Sequence, residues 1–210
     1  MPSAAEILQQ LAAIAAGWRP LAVAWHIYFG VIAIGLIIGA RPSRRLMGAL
    51  LALPLLSVGL LAWNAGNPFN GSVFTIASVV FIGFARALPT GPVTIAPPRA
   101  MVTGFLIAAF GWAYPHFLGD TTSPFEYAYA APTGLIPCPT IAMLIGITLI
   151  VEGLGSRAWS IALAILGLAY GVIGGAILGV MIDWLLVLGA LALLIAARLE
   201  RHGRSRRLRV

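Results

Sequence analysis

The side chains that could carry out chemistry are few, and they fall into two groups along the chain. The first is His26 with its neighbours Trp25 and Tyr28, and the second begins at Trp112 and ends at Cys138. A histidine can move protons or bind a metal, carboxylates attract cations, and a thiolate is a nucleophile. The two groups supply these candidate binding residues: Trp25, His26, Tyr28, Trp112, His116, Asp120, Glu126 and Cys138.

Three of these residues, His26, His116 and Cys138, are also candidate metal ligands, and Cys138 is the only cysteine. Pro139 suits the first position of a helix, which would place Cys138 at the N-cap, where the helix dipole stabilises a thiolate. The alternatives are a small thiol packed beneath a loop and a structural histidine at position 26. We predict no resident cofactor.

Three members of the second group, Asp120, Glu126 and Cys138, belong to the longest loop, residues 119–138, which is rich in aromatic side chains and prolines. Disordered segments lack aromatic residues, so this loop is expected to fold as a stiff lid over the helices. The lid either holds binding residues or only seals the helix ends.

The elements that carry these residues must be membrane helices. Of the 210 residues, 60% are hydrophobic and 9% are charged, and the mean hydropathy is +0.99. Soluble domains carry about 25% charged residues, so a soluble enzyme, a disordered protein and a nucleic-acid-binding protein are excluded. All 13 basic residues are arginines, so chemistry that needs a lysine is excluded too.

The apolar segments predict an all-α integral membrane protein with a single transmembrane domain over residues 20–198. A spanning helix needs roughly 20 apolar residues. The last two segments form one run that is interrupted only near Gly179 to Asp183, so six spans are the alternative, and Asp183 is expected to cap the last helix. The seven predicted spans are 20–40, 46–63, 73–88 (starting nearer Pro68), 100–118, 136–155, 159–179 and 182–198.

Arginine positions predict the orientation, because basic residues concentrate in cytoplasmic loops. With seven spans, every arginine except Arg19 falls on one side. The sequence therefore predicts a cytoplasmic (inner) membrane protein whose N-terminus is outside. Its basic tail, residues 199–210, would be cytoplasmic and would contact anionic lipid head groups rather than nucleic acid.

Two further segments have helical patterns of their own. Residues 1–19 place Ile7, Leu11, Ile14 and Trp18 at helical spacing, which predicts an amphipathic helix on the outer membrane surface. In the sixth span, glycines recur every four residues and form a flat ridge for a close helix approach. This ridge predicts either packing inside the bundle or a homo-oligomer interface, and it consists of Gly167, Gly171, Gly175 and Gly179.

The segments GWAYPHFLGD, YAAPTGLIPCPTIAMLIG and GSRAWSIALAILGLAYG resemble a family of small, uncharacterised bacterial integral membrane proteins. The resemblance implies a polytopic membrane fold and no reaction. Its most distinctive part lies in the lid and the start of the fifth span: Ala131, Pro132, Pro137, Cys138, Pro139 and Thr140.

These patterns favour a small transporter or channel for a cation or a small neutral solute. On the outer side, the candidate residues would form an aromatic and acidic vestibule. One alternative is a membrane-embedded enzyme or metal-binding protein with its site beneath the lid near Cys138, and another is a structural subunit of a membrane complex. A path through the bundle would favour transport, whereas a blind pocket would favour catalysis or ligand binding.

Overall fold

The computed structural model describes residues 3–117 and 123–207, and within these ranges the chain is helical and has no named β-strand. The α-helices of these ranges are α1 (Ala4–Gly17), α2 (Arg19–Ile37), α3 (Arg44–Asn64), α4 (Pro68–Ala87), α5 (Pro98–Trp112), α6 (Tyr127–Ala130), α7 (Pro137–Ile150), α8 (Arg157–Val172) and α9 (Trp184–Arg207).

In the part of the chain that the structure describes, five helical segments are long and apolar enough to cross a membrane, which makes this an all-helical, multi-pass membrane protein. They are α2, α3, α4, α8 with its π-helical extension to Ile177, and Met181–Leu199. The predicted spans 100–118 and 136–155 instead form the shorter helices α5 and α7, of 15 and 14 residues. At 1.5 Å per residue these reach about 21 to 22 Å, less than the roughly 30 Å hydrocarbon core.

The long apolar run of the last two predicted spans divides into two separate helices. After α8 the chain forms one π-helical turn, Ile173–Ile177, and Gly179 then takes a φ of +73°. A short 3-10 turn, Met181–Asp183, leads into α9. Glycine allows the left-handed conformation at the reversal, so the chain breaks where the sequence places the interruption.

The helices run up and down, so that their ends collect at two opposite faces. One face carries the loop after α2, the α4–α5 connection and the α7–α8 connection, which are joined by backbone hydrogen bonds such as Val93 to Pro42 and Ala96 to Ile150. We call this face the arginine end, and its arginines are Arg41, Arg44, Arg45, Arg86, Arg99 and Arg157. The opposite face, the lid end, carries α1 and the described part of the lid.

Helix α7 forms the centre of the bundle. Every residue of α7 from Pro139 to Leu149 is buried, and the helix packs against α3, α5, α8 and α9. Helices α5 and α7 are so close that their backbones are in contact. A Cβ added at Gly104 of α5 would lie 2.6 Å from the Gly146 carbonyl oxygen of α7. Glycines allow such close contact between membrane helices.

The glycine ridge of α8 and its π-helical turn packs mainly against other helices of the same chain. A Cβ at Gly167 would lie 2.7 Å from Ile145 of α7, and one at Gly171 would lie 2.7 Å from Val187 of α9. Gly175 faces the Trp184 indole in the same way, whereas nothing lies within 4 Å of Gly179. Three of the four glycines therefore bring α8 against its own neighbours.

Helix α1 covers the lid end. Its N-terminus forms a capping box in which the Ser3 backbone N–H donates to Glu6 Oε2 at 2.6 Å. This hydrogen bond and a second one from the Ser3 hydroxyl hold the pKa of Glu6 below its usual value, so the cap weakens only as the pH falls through that lowered pKa. Leu11 and Ile14, expected to face the membrane, are buried with Leu61 and Ile136 of the bundle. The location of α1 on the membrane surface stays a prediction.

At the arginine end, α7 connects to α8 through the turn Glu152–Gly155, in which all four residues have left-handed backbone angles, with φ between 49° and 65°. Glu152 and Leu154 adopt this conformation without being glycine, at a cost of roughly 1–2 kcal/mol each. Leu154 is fully buried, and Glu152 Oε2 accepts a hydrogen bond from Thr94 at 2.5 Å. Burial and this hydrogen bond hold the turn in place.

Candidate functional site

A buried carboxylate lies at the lid end of the bundle. Asp183 is only 1% exposed, and its Oδ1 accepts a hydrogen bond from the Tyr114 hydroxyl at 2.7 Å. Its Oδ2 is directed at Gly174 in the π-helical turn, where an added Cβ would overlap it. Asp183 directly precedes α9, where a cap of that helix is expected, and its side chain also reaches the segment after α5, because Tyr114 is itself buried there and needs an acceptor.

The thiol of Cys138 lies beside this carboxylate. It interacts electrostatically with Asp183, and its Sγ donates to the Tyr170 carbonyl oxygen at 3.9 Å. The Tyr170 hydroxyl in turn donates to Asn70 Oδ1 at 2.8 Å. Side chains from the start of α4, the end of α8 and the starts of α7 and α9 thus meet at one place.

These groups border a cavity of about 80 Å³ beneath α1. This volume has room for several water molecules. Ile7 and Leu11 of α1 form its cover, and Phe117 closes another side. The polar residues of its wall are Asn67, Asn70, Cys138, Tyr170 and Asp183. Because the buried helix α7 begins at this wall, the cavity is blind on the side of the bundle centre.

The expected position of Cys138 at a helix N-cap is wrong. Helix α7 begins at Pro137 and its N-cap is Ile136, so Cys138 is the second residue of the helix. Proline is tolerated throughout a first helical turn, where the N–H groups have no partner in the helix. Pro137 and Pro139 also remove two of those N–H donors, which leaves fewer groups to stabilise a thiolate.

The π-helical turn explains how Asp183 reaches the cavity wall. A π-turn inserts an additional residue into a helix and displaces the backbone that follows it. Here it ends α8 with Gly174 and Gly175, which have no side chains and let the Asp183 carboxylate and the Trp184 ring approach. The backbone N–H of Val180 donates to the Gly174 carbonyl oxygen at 2.8 Å, and this hydrogen bond holds the segment that turns back toward α9.

His26 is a structural link between two helices. Its Nε2 lies 2.9 Å from the Trp112 carbonyl oxygen at the end of α5, and its Nδ1 lies 2.8 Å from the Ala22 carbonyl oxygen one turn earlier in α2. The His26 and Trp112 rings also meet edge to face, with centroids 4.8 Å apart. The histidine is buried and does not line the cavity.

Replacing His26 by alanine is expected to destabilise the protein. The Trp112 carbonyl would lose its partner in a half-buried place and the buried His26 ring would leave a void, which together cost about 1–3 kcal/mol of the free energy of unfolding. Exposed His116 is the matched control, and its replacement by alanine should change that free energy by no more than about 0.5 kcal/mol. Equal losses in the two variants, measured by denaturant unfolding in mixed micelles, would contradict this role of His26.

The other candidate residues lie apart from the cavity. Glu126 forms an ion pair with Arg19 at the start of α2, and Asp120 lies outside the described residues. The remaining aromatic candidates hold helices together through their polar atoms: Trp25 Nε1 donates to Ser57 Oγ at 3.1 Å, the Tyr28 hydroxyl to the Leu50 carbonyl at 2.9 Å, and Trp112 Nε1 to the Ala128 carbonyl at 2.7 Å.

Of the seven candidates that lie within the described ranges, Cys138 is therefore the only one that lines the cavity. Exposed His116 is near enough to Asp183 for an electrostatic interaction. No group of three or more histidine, cysteine, aspartate or glutamate residues could hold a metal ion in the described ranges.

The polar cavity residues that the sequence analysis did not select as binding residues are Asn67, Asn70, Tyr170 and Asp183, together with Tyr114, which binds Asp183. The sequence contains one signal for them: Asp183 is an acid at the break between two apolar runs, a place where a charge is costly and functional. The two tyrosines and Asn70 carry no such signal.

No protein-family model, no curated protein and no solved structure matches the chain. The functional inference therefore rests on the geometry of the cavity.

Proposed function

We propose that the bundle spans the cytoplasmic membrane seven times, with the arginine end in the cytoplasm and the lid end outside. The excess of arginines at one end supports this orientation. The short helices α5 and α7 bring the number of spans to seven. Helix α7 is enclosed by protein, so it does not need to be as long as the hydrocarbon core is thick. The Asp183 cavity then lies in the outer half of the membrane.

We propose that the protein is a small transporter or channel whose binding site for a small cation is the Asp183 cavity. The observation that carries this proposal is a buried carboxylate that faces a cavity and pairs with no arginine in the described ranges. An uncompensated charge in a membrane interior is costly, and such residues mark ion and proton pathways. A bound cation would supply a countercharge at the carboxylate itself.

The cavity limits the size and chemistry of that cation. Its polar groups offer oxygen acceptors from Asp183, Asn70 and the Tyr170 hydroxyl, and about 80 Å³ admits an alkali-metal ion, ammonium or a small amine. Oxygen ligands suit such hard cations. A large organic cation does not fit without movement of α1.

The π-helical turn is the proposed moving part. The cavity is closed toward the arginine end by α7, so release to the cytoplasm needs a rearrangement. Irregular helical backbone in a membrane protein is typical of places that line a cavity or change conformation. Gly174 and Gly175 lie within this turn, Gly179 follows it, and Asp183 ends the 3-10 turn that leads into α9.

A thermal-unfolding titration tests the proposal. At constant ionic strength and pH, a small cation such as sodium, potassium or ammonium is expected to raise the unfolding temperature, because ligand that binds only the folded state stabilises it. Tetrabutylammonium, whose four butyl chains are too bulky for the cavity, is expected to have no effect. In Asp183→Asn the shift should be lost, together with cation flux in reconstituted vesicles.

Glu152→Gln is the matched control, because Glu152 is an exposed carboxylate at the opposite end of the bundle. It should keep the full shift and the full flux. An Asp183→Asn protein that folds and still responds to the same cation would refute the proposed site. Equal responses to tetrabutylammonium and to the small cations would refute it as well.

Thiol catalysis has less support. The Cys138 thiol donates to a backbone carbonyl, and no imidazole contacts it within the described ranges to act as its base. A structural subunit would need a surface for a partner, and the glycine ridge is largely filled by α7 and α9.

A further inference from the structure

A second and larger cavity opens between α2 and α5. It has a volume of about 750 Å³ and is lined by apolar side chains of α2, α5 and α7, among them Ile32, Phe105, Ala109 and Ile147. It does not include any residue of the Asp183 cavity. We call it the lateral crevice, and this wall extends from Met101 of α5 to Ala113, the residue that follows the helix, or about 18 Å at 1.5 Å per residue.

The lateral crevice is closed at one end and charged at the other. At the lid end, the contact of His26 with Trp112 joins α2 to α5. At the arginine end its lining includes Arg41, the one charged residue among the described residues of the crevice wall. Arg41 Nη1 donates to the carbonyl oxygens of Leu36 and Ala40, each at 2.8 Å, and these bonds hold the guanidinium at the end of α2.

An apolar space of this kind within a bilayer is filled by a lipid chain. Its length of about 18 Å is more than half of the roughly 30 Å hydrocarbon core. Arg41 lies where a head group would meet the chain, and an arginine binds a phosphate through several N–H donors in one plane. Its Nη2 and Nε have no hydrogen-bond partner within the described ranges.

We propose that the lateral crevice binds one acyl chain of an anionic phospholipid, whose phosphate contacts Arg41. The apolar walls select a hydrocarbon chain, and the single arginine selects a negative head group. Basic pockets between membrane helices recognise anionic lipid in this way. The bound lipid would fill the space between α2 and α5 and keep the two helices at their present separation.

The lipid that stays bound after reconstitution tests this proposal. The full chain is equilibrated with vesicles of equal parts phosphatidylcholine and phosphatidylglycerol, transferred to a mild detergent and examined by native mass spectrometry. The unaltered protein is expected to retain a single phospholipid and to prefer phosphatidylglycerol about five-fold, the ratio expected for one basic residue near the head group.

Two sets of variants test the contact with the acyl chain and the contact with the head group separately. Ala109→Phe fills the lateral crevice and should abolish retention, whereas Ala24→Phe, on an exposed α2 position outside the crevice, should not. Arg41→Gln should retain lipid without a head-group preference, and Arg41→Lys should keep the preference. Arg157→Gln, an exposed arginine at the same end, should behave as the unaltered protein.

Circular dichroism and the unfolding temperature check that each variant folds. If Ala109→Phe does not fold, Ala33→Phe on the opposite wall replaces it. Retention of detergent alone, equal retention of the two lipids by the unaltered protein, or unchanged retention in the folded filling variant would each overturn the proposal. A free fatty acid retained in place of phospholipid would overturn it too, since the proposal requires the phosphate.

Discussion

Replacing Gly174 by alanine is expected to abolish cation binding, although the substitution removes no polar or titratable side chain. The added methyl group would occupy the place of Asp183 Oδ2, so the carboxylate must turn away from its present position. This movement separates it from the Tyr114 hydroxyl and from the cavity wall. The unfolding-temperature shift with the small cation and the flux in vesicles should both fall to the level of Asp183→Asn.

Gly83→Ala is the control for this prediction, because nothing lies within 4 Å of a Cβ at that position of α4. It should keep the full cation response. A folded Gly174→Ala protein with an unchanged response would show that the position of the carboxylate does not matter, which contradicts the proposed site. Comparing it with Asp183→Asn separates the effect of the carboxylate's position from the effect of its charge.

The second large effect is expected at Gly146, in the middle of the buried helix α7. A Cβ here would lie 2.6 Å from both the Ala108 Cβ and the Gly104 carbonyl oxygen of α5. Backbone atoms cannot move aside as a flexible side chain can, so α5 and α7 must separate. We expect Gly146→Ala to lower the free energy of unfolding by about 1–3 kcal/mol, the usual cost of overpacking a core.

Replacing Gly83 by alanine is expected to raise the free energy of unfolding instead. Alanine is favoured over glycine in a helix by up to about 1 kcal/mol, and Gly83 has open space around it. Unfolding in mixed micelles of increasing denaturing detergent would measure both variants. If Gly146→Ala were as stable as Gly83→Ala, the close approach of α5 and α7 would not be part of the folded state.

Much of the helical architecture follows from the sequence, because it depends on local properties. Apolar runs and their interruptions predict where α2, α3 and α4 lie, and Pro68 marks the start of α4. The interruption near Gly179 correctly divides the last run in two. These features depend on the residues themselves and on their immediate neighbours, so no knowledge of the packing is needed.

The site could not be predicted in the same way, because its contacts join distant parts of the chain. Tyr114 and Asp183 are 69 residues apart, and Asn70 and Tyr170 are 100 residues apart. The sequence shows that His26 is polar in an apolar run, but not that a free carbonyl at the end of α5 is its partner. An isolated polar residue in a membrane helix can be a structural link or a binding residue, and only its neighbours show which of the two it is.

The enclosed position of α7 has a consequence for how the protein is made. Two of the helices that surround α7, α3 and α5, are synthesised before it, whereas α8 and α9 follow it along the chain. When α7 leaves the ribosome, one of its sides has no protein to contact. The centre of the bundle therefore closes only after the last helix has been inserted, and a nascent chain that stops before Trp184 exposes α7 to lipid or to the insertion machinery.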